Sequence, residues 1–143
     1  MQPLPAVLQR YFEGLQAHDV DCIASTVADS VAFVTKDRTL TKEQFLAVLR
    51  ALYAGFPDWQ YEFGAPEFRG DAIAVMIRQG GQHTGTLALP GLDAVEATGK
   101  RVRFEHYFFY KVSGDCIVEI SPETVVGGAP FGIFEQLGVP VPK

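Results

Sequence analysis

The chain is poor in cysteine, in clustered positive charge and in long apolar runs, and each shortage closes off a class of function. Two cysteines among 143 residues, Cys22 and Cys116, lie too far apart for a metal or redox motif. Both read as small apolar core residues, and a reducing, cytoplasmic setting is expected. Twelve Lys and Arg against seventeen Asp and Glu leave a net charge of −5. Nucleic-acid binding needs clustered cations, yet the tightest group, Lys100, Arg101 and Arg103, is offset by Glu96 and Glu105. No apolar run approaches the roughly 20 residues that span a bilayer. The start, MQPLPAVLQRYFEG, lacks the basic then apolar order of a secretory signal. Neither nucleic acid nor membrane is expected as a partner. No histidine–carboxylate cluster has metal-ligand spacing, and the glycine pairs at 80–81 and 127–128 lack the strand–GxGxxG–helix context of phosphate binding. No metal or cofactor is expected.

What is present is a globular composition, 48% hydrophobic and 20% charged, sized for one domain. The expected organisation is a single domain over 1–143: mainly helical through 56, sheet from 57 to 126, and a packed tail from 127 carrying Phe131, Ile133, Phe134 and Leu137. Val7, Leu8, Tyr11, Phe12 and Leu15 recur at helical spacing, and that helix should stop near AHD. Asp19 or Asp21 can cap a short second helix through Ile23, Ala24 and Val27. SVAFVT (30–35) is a brief β-rich run. TKEQFLAVLRALYAGF is the clearest helix, with Thr41 and Gln44 at capping-box spacing and Gly55 before Pro57 at its end. From Asp58 the period changes to two. DWQYEFGAPEF alternates, a long strand is expected over 72–87, PGLDAVEATGK interrupts as a loop, and RVRFEHYFFYKV and CIVEI follow as strands. Helices first and strands later indicate α+β, a curved, mainly antiparallel sheet with helices on one face.

Alternation then sorts the faces. Ile73, Val75, Ile77, Gln79, Gly81 and His83 share one side of the first long strand; the glycines beside His83 would leave open space around its imidazole, or mark a bulge. On the second, Val102, Phe104, His106, Phe108 and Tyr110 point inward, and Tyr107 and Phe109 outward. A lone inward histidine is most often a satisfied core residue. Two on the inner faces of one curved sheet also fit a polar spot in an apolar pocket, where a desolvated imidazole can move protons at neutral pH. Trp59 and Tyr61 read as core or as ligand platform, and Tyr53 and Tyr110 as hydroxyls for a ligand or for a carbonyl. Glu119 faces away from Cys116, Val118 and Ile120 by parity. Asp37 and Arg38 read as a surface ion pair or a cavity rim. His18, at a helix end, is given no chemical role.

GFPDWQYEF, a long strand ending GQHTG, a loop closing on TGKRV, then CIVEI and a terminal QLGVP resemble the SnoaL-like polyketide cyclases of the nuclear transport factor 2-like (cystatin-like) superfamily. The resemblance spans nearly the whole chain. It implies a cone: a strongly curved mixed, mainly antiparallel sheet wrapped around three N-terminal helices and enclosing an apolar cavity, with a homodimer packed through the outer sheet face. It further implies cofactor-free ring closure by aldol addition, using a histidine and an aspartate in the cavity. Carried over, His83 matches the family's HxG histidine. His106 lies on the strand of the catalytic histidine, two residues before the matching Phe108. Pro122 stands at the carboxylate position, where Glu123 substitutes if the strand bulges at Pro122. The candidate catalytic residues are thus His106, His83 and Glu123. The candidate cavity lining is Trp59, Tyr61, Phe104, Phe108, Tyr110 and Tyr53. The expected ligand is a small hydrophobic carbonyl compound, processed by a cyclase, isomerase or hydrolase; the alternative is a non-catalytic binding or dimerisation module.

Overall fold

The computed structural model describes residues 4–35, 39–89, 93–123 and 132–138. Asp37, Arg38, the glycine pair at 127–128, Phe131 and the side chain of Phe134 fall outside that set.

The first helix, α1 (Ala6–Ala17), turns its Val7, Leu8, Tyr11, Phe12 and Leu15 stripe into the core. It ends on His18, held at φ 54°, whose N–H reaches back to the Leu15 carbonyl. Asp19 caps α2 (Val20–Thr26) by accepting from the Cys22 N–H at 3.1 Å. That helix stops one residue short of the expected Val27, which instead opens β1 (Val27–Val34). The short β2 (Thr39–Leu40) precedes α3 (Lys42–Gly55). Both arms of the α3 capping box are made: the Gln44 N–H donates to Thr41 Oγ1, and the Thr41 N–H to Gln44 Oε1.

The remaining strands are β3 (Gln60–Phe63), β4 (Glu67–Arg69), β5 (Ala72–Gln82), β6 (Arg101–Ser113) and β7 (Cys116–Pro122), followed by α4 (Gly132–Leu137). They form one sheet in the order β2-β1-β7-β6-β5-β3, with β4 pairing farther along β5. Among the described residues only the β1–β7 pair is parallel, so the sheet is mixed and mainly antiparallel. Glycines at positive φ, Gly70 and Gly114, make the turns into β5 and β7. The sheet curves around α1, α2 and α3, and the buried side chains of both layers form one core. No helix among the described residues is long and apolar enough to cross a membrane.

The β-rich run expected at 30–35 is the second half of β1, which runs eight residues and lies inside the sheet between β2 and β7. Two expectations need correction. The strand expected through 87 ends at Gln82, where the chain leaves the ladder to meet the end of α3. In β7 the register slips: Lys111 pairs with Glu119 but Val112 with Ile117, so Val118 is an inserted residue. Ile117 and Ile120 are therefore both fully buried, and the inward set is not Cys116, Val118 and Ile120.

Candidate functional site

Between the concave sheet and the helices lies a cavity of about 70 Å³. Tyr11 and Leu15 line it from α1, Phe45, Val48, Leu49 and Leu52 from α3, and Phe104, Phe108 and Tyr110 from β6. Ile77 and Gln79 of β5, Leu87 and Leu89 of the following loop, and Ile133 of α4 complete much of the wall. The α4 segment is held there by side-chain bonds. Gln136 both donates to and accepts from the Arg103 backbone at 2.9 Å, and Lys100 Nζ donates to the Leu137 carbonyl. A larger groove of about 220 Å³ over Asp58, Arg78, Gly80, Arg101 and Arg103 is polar and open, and its Arg78 is already paired with Glu62 and Glu105.

Polarity inside the cavity comes from phenols and one amide. Tyr53 and Tyr61 share a hydrogen bond at 2.8 Å, and Tyr61 lines the wall while Tyr53 stands behind it. Burial pushes the Tyr53 hydroxyl up to about 12, offset in part by the bond to Tyr61. Burial, then the phenol of Tyr53, hold Tyr61 well above the ordinary tyrosine value. Both keep their protons at neutral pH, and one hydroxyl donates to the other in the shared bond. Trp59 is buried but off the wall; its Nε1–H donates to Gln79 Oε1 at 3.1 Å and so fixes a cavity amide. His18 supports the pair from outside, its ring stacked on Tyr53 at 4.0 Å and its Nε2–H donating to the Trp59 carbonyl at 2.7 Å. Of the expected lining, Tyr61, Phe104, Phe108 and Tyr110 border the cavity. Tyr11 and Gln79 border it too, and sequence reasoning passed over them. Tyr11 belongs by spacing to the apolar stripe of α1, and its hydroxyl is the signal that sets it apart from that stripe.

His83 faces inward and is 0% exposed, but the glycines around it do not open space. A side chain on Gly81 would meet Trp59 and Asp58, and one on Gly85 would collide with the Ala54 carbonyl oxygen. Those glycines let the end of α3 close onto the strand. Phe56 stacks on the imidazole at 5.2 Å. His83 N–H donates to the Lys100 carbonyl and Gly99 N–H to the His83 carbonyl, so HTG and TGK zip together. Thr98 N–H donates to Nδ1 at 3.1 Å, with the Thr98 hydroxyl 2.9 Å from the same nitrogen. A nitrogen that accepts from an amide carries no proton, which places it on Nε2. Burial lowers the His83 pKa, and the nearby Val95 backbone restores only part of it.

His106 is 1% exposed and stacked between Phe104 and Phe108 at 5.4 and 4.8 Å. Both of those rings border the cavity, as does Ile77 opposite His106 in the ladder. The imidazole itself is not among the wall residues. Nδ1 lies 3.3 Å from the Tyr107 carbonyl, which can only accept, so Nδ1 carries the proton and Nε2 the lone pair. Burial lowers its pKa, opposed first by that carbonyl and then by the charge of Glu123. The strand does not bulge at Pro122, which pairs with Phe108 in unbroken register with Ser121 and Ile120. Glu123 is therefore exposed; its N–H donates to the Tyr107 carbonyl and its carboxylate accepts from the Tyr107 N–H at 3.2 Å. Glu119, half-buried, pairs with Lys111. Among the described residues no His, Cys, Asp and Glu group could hold a metal ion.

A family model described as SnoaL-like polyketide cyclase matches residues 6–121. The chain belongs to that family. No curated protein matches it in sequence. Among solved structures, this SnoaL-like protein is similar to a proposed SnoaL-like polyketide cyclase from Jannaschia sp. CCS1, with TM-score 0.73, 16% identity, and 98% and 99% of the two chains covered. It is also similar to AclR, a proposed hydroxylase from Streptomyces galilaeus, with TM-score 0.73, 18% identity and 93% of each chain covered. A third likeness is a Catenulispora acidiphila protein with a ketosteroid isomerase-like fold, with TM-score 0.68, 13% identity and 96% of each chain covered. At such identities the likeness is one of fold. Because cyclase and hydroxylase names share it, the chemistry must be argued from the cavity.

Proposed function

We propose that this SnoaL-like protein holds a small, largely apolar carbonyl compound in its cavity and moves a proton on it without a cofactor, as a cyclase or isomerase does. His106 is the base. The observation that carries this reading is a buried imidazole on the inner row of β6, stacked between two phenylalanines that border the cavity. Ring closure by aldol addition and double-bond migration both begin by removing a proton from carbon beside a carbonyl, and the base must be unprotonated to do so. Burial favours the unprotonated form of His106, and the contact with the Tyr107 carbonyl places its remaining proton on Nδ1. His83 takes no such role, since Thr98 occupies its basic nitrogen. Glu123 acts on His106 through charge.

A second reading, a binding module without chemistry, is favoured by the closure of the His106 ring behind Phe104 and Phe108. Deuterium uptake at the methyl group of acetophenone in D₂O, followed by proton NMR, separates the two. The wild-type protein is expected to accelerate uptake, and His106→Gln to lose about a hundredfold, the scale of a positioned general base. The wild-type rate should rise with pH and level off below the ordinary histidine value of 6.5, because the folded pKa is lowered. Equal rates for the two proteins, with acetophenone still bound, would leave only the binding reading.

A further inference from the structure

One polar atom on the cavity wall is left unsatisfied by the fold. The Tyr110 hydroxyl is buried and makes no hydrogen bond among the described residues, while the residue itself is 1% exposed and borders the cavity. Its ladder neighbours, Ile73 on β5 and Ile120 on β7, are buried aliphatics with nothing to donate or accept. The ring meets Tyr11 and Phe12 edge-on, each at 5.6 Å. The Tyr11 phenol is near enough for a hydrogen-bond interaction that helps to raise the Tyr110 pKa, but the pair falls short of the distance and angles of a completed bond, which leaves the Tyr110 hydroxyl open to a better acceptor. A buried hydroxyl without a partner has lost its hydration and is destabilising. Phenylalanine would fill the same volume without that cost, and it does so at Phe104 and Phe108 on the same row. The hydroxyl is therefore wasted unless something in the cavity accepts from it.

The rest of the wall limits what that something is. Burial, then the Tyr11 phenol, hold Tyr110 well above the ordinary 10.0, so it keeps its proton and donates. No charged side chain is among the described residues that border the cavity, and an anion there would be desolvated without compensation. A cavity of about 70 Å³ exceeds the roughly 10–15 Å³ one water needs, yet falls far short of the roughly 300–1,000 Å³ of pockets that enclose drug-sized ligands.

From these observations we infer that Tyr110, with Tyr11 beside it, anchors the carbonyl oxygen of a small neutral ligand whose carbonyl end enters the cavity. The inference rests on the reading that the cavity holds a small molecule, and it names the group by which that molecule is oriented. Acetophenone, ethylbenzene and benzoate share a ring and differ in the oxygen, so they serve as probes by NMR titration. The wild-type protein is expected to bind acetophenone about tenfold more tightly than ethylbenzene, with the bound carbonyl stretch moved to lower frequency in the infrared, and to bind benzoate more weakly than either. Tyr110→Phe should bind ethylbenzene as the wild type does, lose the preference and the infrared shift, and unfold in urea at the same or a higher midpoint. Persistence of the preference or the shift in Tyr110→Phe would overturn the assignment, as would a lowered urea midpoint, which would mean the hydroxyl is bonded within the protein. Equal binding of acetophenone and ethylbenzene by the wild type would overturn the Tyr110 anchor alone. Failure of the wild type to bind either would overturn the cavity reading and the anchor together.

Discussion

Thr98 donates its amide to the same imidazole nitrogen that would have to gain a proton, so charging His83 breaks a buried bond as well as losing hydration. His106 is also held below the ordinary value of 6.5. The unfolded chain, with both imidazoles in water, therefore binds protons before the folded one as pH falls. Linkage then gives the sign: their contribution is full above the unfolded value near 6.5 and is lost as pH falls toward the lowered folded values. The urea midpoint should be flat above about pH 7.5 and decline from about 7 to 5. His83→Asn keeps an acceptor for the Thr98 amide and removes the titration, so its decline should be shallower. Identical declines in the two proteins would show that His83 is not held neutral. At this scale much was legible. Alternation along 101–112 put Phe104, His106, Phe108 and Tyr110 inside because β6 keeps strict register with β5. It could not say that Ala54, Asp58 and Trp59, far away in sequence, fill the space beside Gly81 and Gly85. Parity tells which side a residue faces, and packing partners decide what it meets there.

Elements are defined less by which residues they contain than by where the ladder slips. CIVEI is apolar at Ile117, Val118 and Ile120 alike, so its composition carries no mark of the insertion at Val118. Parity counted back from Ile120 makes Val118 a core residue and sends Ile117 to the outside, which is the reverse of their burial. The two substitutions can be compared directly. Ile117→Ala empties fully buried volume and is expected to cost about 2–5 kcal/mol. Val118→Ala removes a half-buried side chain and should cost less than about 1 kcal/mol. Both are read as changes in urea unfolding at pH 7.5, where the histidines add no slope. A larger loss for Val118 would restore the unbulged register and with it a different inner face for the end of β7. Helix boundaries were easier to read because their signals are local: the Thr41–Gln44 box and the Asp19 cap are side chains bonding within three residues of themselves.

At the scale of the whole molecule, the order of helices and strands suffices for α+β, while the cone depends on long-range pairing that only the family resemblance anticipated. The parallel joining of β1 to β7 pairs the first long strand with the last, some eighty residues apart in sequence. The face turned away from the helices is where assembly is expected. Tyr107 and Phe109 stack there at 6.3 Å, and Arg69 lies over both rings. Apolar groups gathered on a sheet face and rimmed by ion pairs suit a self-complementary interface, in which each patch meets its own copy across a two-fold axis. The protein is expected to sediment at about twice its 15.7 kDa at tens of micromolar. Phe109→Lys should shift it toward the single-chain mass, because two buried ammonium groups would face each other with little water to screen them. Phe109 points away from the cavity, so binding of acetophenone should survive the substitution if each cone works alone. Loss of binding together with dimerisation would mean instead that pairing of the sheets holds the cavity in shape. A wild-type protein that sediments as a single chain at those concentrations would remove the interface and leave the outer aromatics as surface held down by Arg69.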